Sequence, residues 1–178
     1  MNGFIRNFIR MEEIRNRVKE SGLITLDLGD FKKTSNYVEI DIAKQLWQGL
    51  VLKEKDFRNW IKEHDWSLYE GCAVYVHCPV DAIVPTWAYM LVASSLKEAG
   101  AFYVIGSELD LEKRLILAEI ENLDAETFRD GRVIIKGCAD VRDPEYAMTE
   151  LLKILQPVAK SIMYGEPCST VPIFKRKG

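Results

Sequence analysis

The chain has 178 residues, enough for one domain with a real core and short for two. It is 48% hydrophobic and 29% charged, with 11 Gly and 6 Pro, which excludes disordered, collagenous and low-complexity classes. Its formal net charge of -3 supplies no overall field to capture nucleic acid.

Met1 to Arg10 mixes Arg6 and Arg10 with Phe4, Ile5, Phe8 and Ile9. It lacks a continuous apolar stretch and a small-residue cleavage site, so it is not read as a signal peptide, and a cytoplasmic location is expected. Residues 1–11 read as an N-terminal extension and 12–178 as a single α/β domain. The longest uncharged run, Ala82 to Leu96, is 15 residues, shorter than the roughly 20 a membrane span needs. No internal repeat is apparent.

An amphipathic helix is expected over Glu12–Glu20, with Ile14 and Val18 on one side, stopped by Ser21-Gly22. Leu23–Leu28 and Tyr37–Ile42 alternate apolar and polar residues around a turn-rich loop, which predicts an antiparallel hairpin. Leu50–Leu52 is a candidate third short strand. Lys53–Asp65 reads as a helix whose apolar face holds Phe57, Trp60, Ile61 and His64. His64 then reads as a packing residue.

Beyond this point the period changes. Ala73–Cys78, Ala101–Ile105 and Arg132–Ile135 are continuous apolar runs. Each precedes a helix-like segment: Pro85–Ala99, Leu109–Leu123 and Pro144 to about Met163. Such alternation predicts a three-stranded parallel, Rossmann-like unit with helices, preceded by the hairpin as an extension. The Pro85–Ala99 helix is apolar on all sides, with Trp87, Tyr89, Met90, Leu91 and Val92. A homodimer burying part of it is therefore expected, the small residues Ala88, Ala93, Ser94 and Ser95 admitting another backbone.

Four cysteines in a cytoplasmic chain do not form a disulfide framework. Ligands of open parallel sheets bind beyond the carboxyl ends of the strands. That rule selects His77-Cys78-Pro79-Val80-Asp81, Gly106-Ser107-Glu108 and Gly137-Cys138-Ala139-Asp140. Cys78 and Cys138 both precede helix starts, where the dipole favours a thiolate. Cys72 begins the strand that Cys78 ends, about 20 Å away, and reads as a buried residue. Cys168 lies in Gly165-Glu166-Pro167-Cys168-Ser169. Three thiolates, Cys78, Cys138 and Cys168, with Asp81, His77 or water, suit zinc or iron. One geometric objection stands. A helix from Pro144 to Met163, about 30 Å long, delivers Cys168 to the opposite sheet edge.

The alternatives are a thiol-dependent enzyme with Cys78 as nucleophile beside Asp81 or His77, strand-end cysteines that only pack, and a non-catalytic dimeric interaction module. Dinucleotide, P-loop and nucleophile-elbow motifs are absent. The basic ends, Arg15, Arg17 and Lys19 with Arg6 and Arg10, and Lys175-Arg176-Lys177, read as solvated charge or a protein-partner contact. They carry no aromatic platform for RNA.

Several strings carry a resemblance. They are Asp81-Ala-Ile-Val-Pro-Thr-Trp-Ala-Tyr-Met90, Val133-Ile-Ile-Lys-Gly-Cys138 and Lys160-Ser-Ile-Met-Tyr-Gly-Glu-Pro-Cys-Ser-Thr-Val-Pro172. Together with Gly22-Leu-Ile-Thr and Leu52-Lys-Glu-Lys-Asp-Phe57, these resemble DUF2480, a Bacteroidetes family of unknown function. The resemblance covers Met11 to Lys177, leaves Met1 to Arg10 outside and makes Met11 a candidate start. It assigns no catalytic or binding residue. It implies a setting beside iron-sulfur assembly genes, which favours a metal or thiol role for Cys78, Cys138 and Cys168.

Overall fold

The computed structural model describes residues 23–33, 37–137 and 140–177. The expected helix over Glu12–Glu20 lies outside them. Two short strands, β1 (Leu23–Asp27) and β2 (Tyr37–Asp41), end in the same way. The closing aspartate turns its carboxylate back onto the backbone two residues on: Asp27 Oδ1 accepts from Gly29 N at 2.9 Å and Asp41 Oδ1 from Ala43 N at 2.8 Å. Each aspartate thereby caps a 3-10 turn and stops its strand.

The chain continues through α1 (Glu54–Glu63), β3 (Ala73–His77), α2 (Thr86–Glu98), β4 (Phe102–Ile105) and α3 (Glu108–Glu121). It ends with β5 (Arg132–Lys136), α4 (Pro144–Leu155), β6 (Ser161–Glu166) and β7 (Ser169–Lys175). Two sheets result. One is parallel throughout, in the order β2-β3-β4. The other is ordered β1-β5-β6-β7, parallel except for the antiparallel β6–β7 hairpin.

The mixed class and the three-stranded parallel sheet agree with the sequence reading, but strand membership differs. β1 and β2 do not pair with each other. β1 joins β5 and β2 joins β3, both parallel. The alternation of each strand specifies its buried face and not its neighbour. β5 belongs to the four-stranded sheet, and the antiparallel hairpin stands at the other end of the described chain. Trp47, Val51 and Ile83 form isolated bridges in place of a strand at Leu50–Leu52.

The pairing exposes a repeat that the sequence reading missed. β5 begins 59 positions after β3 (Arg132 against Ala73), and β6 begins 59 after β4 (Ser161 against Phe102). The same interval relates Asp65 to Asp124, each capping a 3-10 turn before a strand. It relates Pro85 to Pro144 at the helix starts. It also relates the buried helix positions Ala88, Val92 and Leu96 to Ala147, Leu151 and Leu155. β2 and β1 complete the two units, each beside its strand in matching register: Asp41 opposite His77, Asp27 opposite Lys136. Asp65, Pro85, Ala88 and Leu96 recur unchanged at Asp124, Pro144, Ala147 and Leu155, but these identities are scattered among positions that keep only the apolar class, as at Phe57 and Ile116 or Tyr69 and Phe128. That hides the repeat from a reading by motif.

One apolar core lies between the three-stranded sheet and α1 and α2, around Ile40, Val74, Val76, Phe57 and Val92. The other lies between α4 and the four-stranded sheet, around Leu26, Val133, Ile135, Leu151 and Ile162. α3 sits between the two halves, packing on β3, β4 and α4. On α2, Phe57 of α1 covers Trp87, their ring centroids 5.8 Å apart. One side of α2 stays open, and Met90 is 66% exposed. Among the described residues, no helix is long and apolar enough to cross a membrane.

Candidate functional site

α4 stops at Leu155, not near Met163. Pro157 has no amide to continue the ladder, and the amides of Val158 and Ala159 both turn back to Leu155 O, at 3.1 and 2.8 Å. Val158 and Ile162 keep their apolar spacing because a turn and then β6 bury them in the same core. β6 therefore runs parallel to β5, with Tyr164 opposite Ile135, and carries the chain back to the carboxyl edge of β5. The objection that a long helix removes Cys168 from that edge falls.

Cys168 is exposed in the β6–β7 turn. Beside it, Lys136 Nζ lies 2.7 Å from Glu166 Oε2. The hydrogen bond to Glu166 raises the Lys136 ammonium above its ordinary range against some desolvation, and the charges of Asp27 and Cys168 add to the rise. Asp27, Lys136, Glu166 and Cys168 thus share one edge. Gly137 follows, closely packed: a Cβ there would stand 3.2 Å from Tyr164 Oη and 3.6 Å from Met148 Cε. Cys138 is the next residue in the chain and lies outside the described residues. An apolar pocket of about 170 Å³ opens beneath this edge, between α4 and β5–β7, lined by Ile135, Met148, Leu152 and Tyr164 among others.

Cys78 and Asp81 belong to the other sheet. The Cys78 thiol points to Val80 O at 3.6 Å and packs against the core shared with α2. Asp81 is exposed in the following loop. Cys72 packs against the same core, with its thiol 3.7 Å from Leu68 O. His77 alternates to the opposite face from Cys78, where its Nε2 lies 2.7 Å from Glu39 Oε1 and its ring 5.5 Å from that of Tyr75. His64 closes α1 as a packing residue, with its Nε2 3.0 Å from Tyr69 Oη and its ring against Trp60 and Trp66. Among the described residues, no group of three His, Cys, Asp or Glu side chains is placed to hold a metal ion.

A second charged cluster escaped the sequence reading. Glu112 of α3 is only 2% exposed. Its Oε1 accepts from the Arg142 amide at 2.8 Å. Its Oε2 makes no hydrogen bond and lies 3.6 Å from Lys32 Nζ and 3.5 Å from Arg142 Nε. Arg142 Nη2 also donates to Glu108 Oε1 at 2.6 Å, and Lys32 Nζ to Asp140 O. Burial first, then the nearby carboxylates, raise the Tyr37 and Tyr75 hydroxyls above their ordinary range, while Arg142 opposes the rise. The cations are already matched by carboxylates. The cluster ties the segments after β1 and β5 to α3 and reads as a latch, not a ligand site. One signal was available: Glu112 stands on the stripe of Ile116 and Ile120, a charge in an apolar row.

A family model described as a protein of unknown function (DUF2480) matches residues 12–176. The chain belongs to the DUF2480 family. No curated protein and no solved structure matches it. In this DUF2480 chain, the string over residues 133–137 covers β5 beyond its first residue together with the residue after it, and the string holding Cys168 spans β6, its turn and the start of β7.

Proposed function

We propose that this DUF2480 protein is a cytoplasmic, homodimeric metal-binding protein, accessory to iron-sulfur or thiol metabolism, whose site is the thiol pair Cys138 and Cys168. The observation that carries this reading is the return of β6 beside β5, which brings exposed Cys168 to the edge that Cys138 follows. Two thiolates suit zinc or iron, and the Glu166 or Asp27 carboxylate or water completes a tetrahedral set. A metal held there would supply a Lewis acid. Lys136 offsets the negative charge that two thiolates bring together and holds Glu166 at the edge. Cys78 and Asp81 are left out of the set because they stand on the other sheet, with Cys78 packed against the core under α2.

Metal analysis of untagged protein purified under reducing conditions without chelators tests this reading. About one zinc or iron per chain is expected. Cys138→Ser and Cys168→Ser should each lose it, while Cys78→Ser and Asp81→Asn keep it. A metal-free wild type, or a metal lost in Cys78→Ser and kept in Cys168→Ser, overturns the reading.

A further inference from the structure

The repeat gives each strand of the three-stranded sheet a counterpart in the other sheet, and it also shows one difference between them. β6 carries an antiparallel strand, β7, on its outer edge. Its counterpart β4 is the last strand of its sheet, and among the described residues no strand lies on its outer edge. The Phe102 and Gly106 amides donate to Cys72 O and Val76 O on the β3 side, both at 2.9 Å. In a parallel pair the intervening residues turn their amides and carbonyls the other way, so those of Tyr103 and Ile105 face outward.

β4, though only four residues long, lacks the charge, proline and bulge that guard other edges. Charge, proline or a bulge normally blunts an exposed strand against pairing. β7 has Pro172, Lys175 and a register shift. β2 carries Glu39 and Asp41, and β1 ends in Asp27. β4 is Phe-Tyr-Val-Ile, with neither charge nor proline. Phe102 is 37% exposed and Ile105 48%, and alternation puts them on opposite faces of the sheet. A strand that pairs with its own copy across a two-fold axis sets like residues near one another, and a charge there meets its equal. β4 meets a copy of itself without that cost, whereas β2 does not.

We propose that the outer edge of β4 is the homodimer interface, pairing antiparallel with β4 of a second copy. The two sheets then join as one six-stranded sheet in the order β2-β3-β4-β4-β3-β2. The two-fold axis fixes the antiparallel sense, which is also the sense in which β7 covers β6. This inference rests on the homodimer reading above and names its surface.

Light scattering behind size exclusion of the full chain is the test. Wild type should show twice the 20.4 kDa chain mass. Ile105→Pro removes one outward amide and leaves the Gly106–Val76 bond intact. The double variant Phe102→Lys/Ile105→Lys places like charges across the axis. Both should show the single-chain mass with native far-ultraviolet circular dichroism, and Ile173→Lys on β7 should stay dimeric. Should the proline variant not fold, the lysine pair decides. A single-chain mass for wild type at hundreds of micromolar overturns the dimer and its surface together. A wild-type dimer that persists in the folded β4 variants overturns the surface alone.

Discussion

Glu112 is worth more to the fold than its one hydrogen bond to the Arg142 amide suggests. A buried carboxylate meeting two cations offsets its own desolvation only while both stay in place. Glu112→Ala deprives the Arg142 amide of its acceptor and leaves Lys32 and Arg142 beside a void. Because both cations are partly exposed and regain water, the cost is moderate, about 2 kcal/mol in urea unfolding. A variant as stable as wild type would contradict the latch. Asp143 links residue and pH. It accepts from Lys113 at 2.7 Å and from the Tyr146 amide at 2.9 Å, and these bonds hold its carboxyl below the ordinary 3.8, Lys113 foremost. A lowered folded pKa stabilises above the unfolded value, and the gain is lost as pH falls through the folded one. The urea midpoint should fall between about pH 5 and about pH 3, and Asp143→Asn should reduce that fall. An unchanged slope would show that the pair contributes nothing.

At the scale of elements, the helices are fixed by local signals that the sequence displays. Ser107 and Asp110 form a reciprocal capping box at the start of α3, and Ser107→Ala should cost about 1 kcal/mol by thermal or urea unfolding. Pro144 opens α4 and Asp143 caps it. The end of α4 was misread because apolar spacing continues through Pro157, and a core does not record whether helix or strand supplies its side chains. Pairing was the least legible feature. β1 and β2 are legible to within one residue at their ends, but their partners lie 36 and 109 positions away, as Asp41 to His77 and Leu23 to Arg132 show. The repeat gives a paired prediction. Leu96 and Leu155 are both 0% exposed at equivalent places on α2 and α4. Leu96→Ala and Leu155→Ala should each cost about 3 kcal/mol, measured separately in urea. Values differing by more than about 2 kcal/mol would show that the two cores are not equivalent.

For the whole molecule, two similar units that differ at their outer edges place Cys168 on one sheet and a free edge on the other. Each unit builds a strand, a crossover helix and a parallel strand, with an aspartate closing the neighbouring first strand. The four-stranded unit then adds β7, and the turn into β7 is where Cys168 stands. The carboxyl-edge rule selected Gly137-Cys138 and Cys78 from sequence by the same logic. It could not assign the loops to two sheets, because β3 and β5 carry the same apolar signal. Cross-linking with dibromobimane, which fluoresces when it bridges two neighbouring thiols, reads the proposed pair directly in reduced, metal-stripped protein. Bridging should occur in wild type and in Cys78→Ser, and vanish in Cys138→Ser and Cys168→Ser. Bridging that survives in Cys168→Ser, or no bridging in wild type, would contradict the thiol site.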